Sequence, residues 1–250
     1  MSGPNRAPLV DLLGTSMSAL VHAIPVIESQ TRRRVVLIGG LAVVCRLTRA
    51  YRATSDLDTV NRRRGGEAAQ LELLIAHGAT ASGVSGALVA TPAGQVQVDV
   101  LEVTDADLEP LPTDPNDRLH VMSHAWAAAT ASDVVLRAGG TADMTVAVAE
   151  PGPLIAMKLQ SVMNREAKKE ATDLLDMVRL VLDPVAGPVA REQLSAADGR
   201  LREDAFLHAS QWFDARIART LRIVRAMPEG RAIQLDDLRL VGELVQGSMR

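Results

Sequence analysis

One cysteine, Cys45, occurs in 250 residues, which excludes an internal disulfide framework and any cysteine-built zinc module. Aromatic residues are also scarce, at 2% of the chain, so a core of ordinary packing density must be assembled from Leu, Val, Ile, Ala and Met. The longest apolar run, Val35 to Cys45, reaches about half of the ~20 residues a membrane-spanning helix needs. No excess of either charge is present: 27 basic residues face 30 acidic ones, for a net charge of −3. That excludes a generally basic nucleic-acid coat protein, though not a local basic groove. Lysine is nearly missing, with only Lys158, Lys168 and Lys169; arginine supplies the rest. The start, Met1-Ser2-Gly3-Pro4, lacks the charged-then-apolar order of a signal peptide, and the expectation is a cytoplasmic protein with no membrane segment.

What is present has the proportions of a globular protein, 47% hydrophobic and 23% charged, with room for one large or two modest domains. No internal repeat or low-complexity tract is visible. Residues 8–29 carry helical spacing at Leu9, Leu12, Leu13, Leu20 and Ile24. Val35-Val36-Leu37-Ile38 reads as a short buried strand, Gly39-Gly40 as its end, and Leu41 to Leu47 as a helix. A strand at 57–60, a helix at 67–77 and a hairpin of 84–89 with 96–103 follow, the hairpin turning at Thr91-Pro92-Ala93-Gly94. Residues 119–131 read as a helix, and 133–137 and 144–149 as strands. Beyond Glu150-Pro151-Gly152-Pro153 the pattern is helical, over 154–163, 166–182, 204–227 and 235–245. The expected organisation is α+β: an α/β domain over 1–150, with a mixed β-sheet and flanking helices, followed by a mainly helical domain over 151–250.

The stretch from Val35 to Val60 carries the chemistry. Asp56 and Asp58 are two residues apart, so on an extended strand their carboxylates share a face. Like charges held together are costly without a cation between them, and hard cations such as Mg²⁺ prefer carboxylate oxygens. Asp99, in Val96-Gln97-Val98-Asp99-Val100, is placed to supply a third carboxylate from another strand. An Asp-x-Asp pair standing alone more often caps a turn or is solvated. Gly39-Gly40 opening a helix adds backbone N–H groups and a helix dipole suited to phosphate, although Gly-Gly is also an ordinary turn. Other catalytic patterns are missing: there is no Gly-x4-Gly-Lys-Ser/Thr phosphate loop and no Gly-x-Ser-x-Gly nucleophile elbow. His120 and His124 are four apart but lack the glutamate of a zinc-protease helix, and Cys45 reads as a small core residue.

Ile38-Gly39-Gly40-Leu41-Ala42, followed by Arg52-x-Thr54-x-Asp56-Leu57-Asp58, resembles the DNA polymerase β-like nucleotidyltransferase superfamily, and within it the AbiEii-type toxin family. A second block is similar to the same family: Pro153 to Leu159 with Lys158, then Arg165, then Thr172-Asp173-Leu174-Leu175-Asp176. It departs from the family pattern in having Thr172 where lysine or arginine usually precedes the aspartate. The resemblance implies a nucleotidyltransferase-type sheet and a metal-dependent enzyme that moves a nucleoside monophosphate from an NTP to an acceptor. It implies Asp56, Asp58 and Asp99 as ligands of Mg²⁺ or Mn²⁺, with Asp99 also as a general base. Gly39 and Gly40, with Arg52 and Thr54, would bind the nucleotide. Lys158 would meet its phosphates, and Asp173 would be a further catalytic acid or would orient Lys158. The acceptor implied is the tRNA 3′ end, with the protein as the toxin of a toxin–antitoxin pair and an antitoxin as partner. A small-molecule or protein acceptor, or a non-catalytic nucleotide-binding module, is the alternative.

Each residue also has a plainer reading. Lys158 on a helix would ordinarily face solvent, and Asp176 could pair with Arg179 three residues on. Arg52 could be a loop ion pair of little worth. Arginines 32–34 read as a solvated face, whereas 62–64, just past the aspartate strand, suit contact with a polyanionic acceptor.

Overall fold

The computed structural model describes residues 7–12, 14–139, 142–163 and 167–250; among these, strands and helices mingle up to Val148 and only helices follow. The first elements are β1 (Leu9–Leu12), α1 (Thr15–Thr31), β2 (Val36–Leu37), α2 (Gly39–Arg46) and β3 (Asp56–Arg63). Next come α3 (Gln70–Ala76), β4 (Thr80–Ser82), β5 (Gly86–Thr91) and β6 (Gly94–Thr104). After α4 (Asp105–Leu108) and α5 (Pro115–Thr130), strands β7 (Ser132–Ala138) and β8 (Met144–Val148) complete the sheet. The remaining helices are α6 (Pro151–Ser161), α7 (Ala167–Leu182), α8 (Ala186–Ser195), α9 (Gly199–Ser210), α10 (Ile217–Ala226) and α11 (Leu235–Met249). No helix among the described residues is long and apolar enough to cross a membrane.

The protein is thus α+β, with eight strands in one mixed sheet ordered β1-β7-β8-β2-β3-β6-β5-β4 among the described residues. Two compact units divide the chain. The first comprises Met1–Cys45, Ala53–Asp105 and Ala127–Ala149 and contains the sheet; the second comprises Arg46–Arg52, Ala106–Trp126 and Glu150–Arg250.

In the first unit, alternation builds the middle of the sheet. On β6, Val96, Val98 and Val100 are buried while Gln97 and Asp99 between them are only half-buried. On β3, Leu57, Thr59 and Val60 are buried, and Asp56 and Asp58 turn to the other face. The two strands run parallel, and their register sets Asp56 opposite Gln97 and Asp58 opposite Asp99. The sequence expectation of a helix over 8–29 needs correction at its start. Leu9–Leu12 instead form an edge strand parallel to β7, with Leu9 opposite Val135. The β7 edge offers unpaired backbone groups that this short apolar segment satisfies. Leu13 and Met1–Pro4, also named above, lie outside the described residues.

In the second unit, the single helix expected over 204–227 is broken. It ends as α9 at Ser210 and passes through a π-helical turn, Gln211–Ala215, before α10 begins. The wide turn lets two consecutive large side chains, Trp212 and Phe213, both face inward, each no more than 2% exposed. The Thr220 hydroxyl donates to the Trp212 carbonyl across 2.7 Å and closes the break.

Candidate functional site

The first unit holds a cluster of three carboxylates. Asp56 and Asp58 share a face of β3 by the two-residue period, and the β3–β6 register brings Asp99 beside Asp58. One oxygen from each lies within 4.8 Å of the others, and all three side chains are partly buried. Among the described residues this is the one group of three or more potential metal ligands so arranged. Two neutral donors fix its geometry. The Thr54 hydroxyl donates to Asp56 Oδ1 across 2.8 Å, and Gln97 Nε2 donates to Asp99 Oδ1 across 2.8 Å.

Glycine is required at two places around this cluster. Gly39 takes φ of 63° at the start of α2, and a Cβ there would lie 1.9 Å from Asp58 Oδ2. The Ile38 amide meanwhile donates to the Asp58 carbonyl across 3.0 Å, so backbone and side chain of Asp58 are both seated against the Ile38-Gly39 turn. Gly86 lies opposite Asp99 on β5, where a Cβ would stand 2.6 Å from Asp99 Oδ1 and 2.4 Å from Gln97 Nε2. Gly40 is buried in the first turn of α2, where N–H groups lack intrahelical acceptors. Gly39→Ala is expected to add about 1–3 kcal/mol of backbone strain and to displace Asp58. A melting curve with and without Mn²⁺ checks this: the variant should melt lower and gain less from the ion than the parent.

The second unit holds a buried ionic cluster. Lys158, on α6, is 8% exposed; its Nζ lies 2.5 Å from Asp173 Oδ1 and 2.8 Å from Asp176 Oδ2, both on α7. Ser161 donates its hydroxyl to Asp173 Oδ2 across 2.8 Å. Arg52 closes the other side with a fork, Nε to Asp176 Oδ1 at 3.0 Å and Nη2 to Oδ2 at 2.8 Å. The Tyr51 hydroxyl also donates to Asp176 Oδ1. Lys158 therefore does not face solvent, Arg52 is no solvated loop pair, and Asp176 takes its cations from Lys158 and Arg52. Arg179 reaches the Glu229 carbonyl instead, at 2.8 Å. Asp183 is held separately, accepting from the Thr48 amide and hydroxyl and from the amides of Val185 and Ala186.

Burial by itself would lower the Lys158 pKa, but the charges of Asp173 and Asp176 outweigh it and hold the ammonium above the ordinary lysine range. Burial would likewise raise Asp176, yet Lys158 and Arg52 keep it below the ordinary carboxylate value. Burial and the Asp176 charge both push the Tyr51 phenol upward. Asp183 also lies low, its burial outweighed by four hydrogen bonds. Lowered Asp176 and Asp183 contribute stability that is whole above their unfolded value of about 4 and drains as pH falls through the folded one. Raised Lys158 and Tyr51 contribute stability that is whole below their unfolded values of about 10 and drains as pH rises. Urea midpoints should form a plateau from about pH 5 to pH 10 with a fall on each side, and Tyr51→Phe should blunt the alkaline fall. An alkaline limb identical in Tyr51→Phe would contradict the assignment of Tyr51.

The structure thus brings together Asp56, Asp58, Asp99, Thr54 and Gly39 in one unit, and Lys158, Asp173 and Arg52 in the other. Gln97, Gly86 and Tyr51 went unnoticed in the sequence. Alternation around Asp99 could have flagged Gln97, which lies two residues away on the same face. Arg165 lies outside the described residues. Of the arginine runs, Arg33 donates to the Ala68 carbonyl at 2.8 Å and Arg34 pairs with Asp133. Arg62 pairs with Asp105 at 2.6 Å. His124 Nδ1 bonds the His120 carbonyl at 2.6 Å, within one helix turn. No protein-family model matches the chain, and no curated protein sequence matches it either.

Proposed function

We propose that the chain is a metal-dependent nucleotidyltransferase with a sheet of that superfamily's type, moving a nucleoside monophosphate from an NTP to an acceptor hydroxyl and releasing pyrophosphate. One observation carries the reading: three carboxylates converge within 4.8 Å on adjacent strands, and one of them packs against the glycine that opens a helix. Three hard oxygen donors suit Mg²⁺ or Mn²⁺, and their mutual repulsion favours a cation among them. Asp56, Asp58 and Asp99 would hold such an ion, which would supply Lewis-acid stabilisation of charge on phosphoryl oxygens.

The remaining work falls to the chain's own groups. Backbone N–H groups at Gly39 and Gly40 hold phosphate oxygens, aided by the positive end of the α2 dipole. Asp99 takes the proton of the acceptor hydroxyl. Thr54 and Gln97 keep two of the three carboxylates in their rotamers, which spares the site reorganisation during the reaction. Lys158, Asp173 and Arg52 enter through the family resemblance, as the positive charge for phosphate and its supports. From the same resemblance come the AbiEii-type kinship, a tRNA 3′ end as acceptor, a role as a toxin, an antitoxin partner and a cytoplasmic setting.

Incubation with Mg²⁺, each labelled NTP in turn and total tRNA, beside an Asp58→Asn control, tests the reading. Label on tRNA that the control lacks supports it in full. Pyrophosphate release with unlabelled tRNA moves the acceptor to a small molecule or a protein. No NTP binding by folded protein removes the enzyme reading.

A further inference from the structure

The segment 211–231 in the second unit departs from the charge balance of the rest of the chain. It carries Arg216, Arg219, Arg222, Arg225 and Arg231 against only Asp214 and Glu229, in a protein of net charge −3. Within α10 the buried side is formed by Thr220 and Val224. A 3.6-residue period then turns Arg219, Arg222 and Arg225 to the opposite side, each about 4.5 Å further along the axis. Arg222 and Arg225 are exposed, and Arg219 is half-buried.

Most of this charge is left uncompensated. Arg225 donates to neutral acceptors, the Ile233 carbonyl at 2.8 Å and the Gln234 side chain at 2.6 Å. Arg216 stacks on the Trp212 ring at 5.5 Å. Arg222 and Arg231 have no carboxylate within 4.0 Å among the described residues, and only Arg219 is paired, with Glu170. The face between them is small, since Ala218 and Ala226 are its other exposed residues.

We infer that this arginine face of α10 binds the phosphate backbone of a nucleic acid. The guanidinium fork matches phosphate oxygens two at a time. A closely spaced row of such groups suits a polymer with a phosphate at every residue. Protein partners anchor on exposed aromatic or large aliphatic side chains, and beside these arginines α10 fully exposes only Ala218 and Ala226. A membrane surface would need fully exposed apolar side chains, and on α10 Val224 is buried while Ile217, Leu221 and Ile223 are only half-exposed. Contacts of this kind position a strand without reading its sequence. The inference does not depend on the metal-site proposal, since binding needs neither metal nor NTP.

The test is fluorescence anisotropy of the full chain with a labelled RNA stem-loop, in EDTA, over a range of salt. Arg222→Gln/Arg225→Gln, which leaves the Arg219–Glu170 pair intact, should weaken binding at least tenfold and reduce the salt slope by roughly 1.4–1.8, since each neutralised phosphate adds roughly 0.7–0.9 to that slope. The corresponding double lysine variant should keep the salt slope and lose only the part of the affinity that the guanidinium fork supplies. Unchanged affinity and slope in the glutamine variant would overturn the inference. So would arginine-dependent capture of poly-glutamate or of phosphatidylserine vesicles by a protein that ignores RNA. Repeating the titration with Asp58→Asn separates the two proposals, because RNA binding should persist there whatever happens to NTP turnover.

Discussion

Replacing Lys158 with methionine is expected to lower stability by about 3–5 kcal/mol, the usual cost of removing one partner from a buried ion pair. For a chain of this size that corresponds to a fall of roughly 6–20 °C in melting temperature. The size follows from the arithmetic of charge around α7. Two buried carboxylates, Asp173 at 2% exposure and Asp176 at 0%, share the Lys158 ammonium. Arg52 reaches only Asp176 with its fork. Losing the ammonium takes from Asp173 a cation at 2.5 Å, while the Ser161 hydroxyl at 2.8 Å stays. Methionine keeps the length and apolar stem of lysine, so reduced packing contributes little. Adding Asp173→Asn to the methionine variant should recover part of the loss, because a neutral amide costs less to bury than a carboxylate that has lost its ammonium. Thermal melts of the parent, the single variant and the double variant decide the matter. A single variant that melts within about 2 °C of the parent, below the shift a kilocalorie produces, would show that water or rearrangement satisfies Asp173, and the cluster would then not hold α6 to α7.

The contrast between the two clusters explains how much of this protein was legible in its sequence. The Asp56–Asp58 pair could be read because a strand has a strict two-residue period, so two aspartates at that spacing must share a face. Asp99 could be read because the valines around it fix which side of β6 is buried. Its direct pairing with Asp58 is a matter of strand register, which depends on contacts far apart in sequence. Gly86 was invisible for that reason, since its need to be glycine comes from both neighbouring strands: the Ser82 carbonyl on β4, and Gln97 and Asp99 on β6. In the buried cluster the local pattern misleads. Arg179 lies one turn from Asp176 and looked like its partner, but Lys158 and Arg52 come from other elements and win because Asp176 faces inward. The edge strand β1 was missed for the same cause. A four-residue segment with three apolar residues, Leu9, Val10 and Leu12, satisfies helical and extended patterns alike, and only the open edge of β7 decides between them.

Asp58→Asn should reduce pyrophosphate release by about 10²–10³-fold, in the range that removing one preorganised electrostatic group produces, while leaving the metal-free protein as stable as the parent or slightly more so. The two halves of this expectation have opposite signs for one reason. Without a cation, three carboxylates within 4.8 Å repel one another, and converting one to an amide of the same shape removes a charge without opening a gap beside Gly39. With a cation, the same change removes a ligand. Titrating Mg²⁺ or Mn²⁺ should therefore raise the parent's melting temperature, since an ion at about 100 times its Kd adds about 2.7 kcal/mol. The variant should show little response over the same range. Melting curves in EDTA and in excess ion, read beside pyrophosphate release, separate a metal ligand from a residue that merely packs. A structural Asp58 would instead destabilise the ion-free protein when changed and leave the response to ion intact. That pair of results would sink the metal-site reading even if activity were abolished, because inactivity alone follows from misfolding as readily as from a missing ligand.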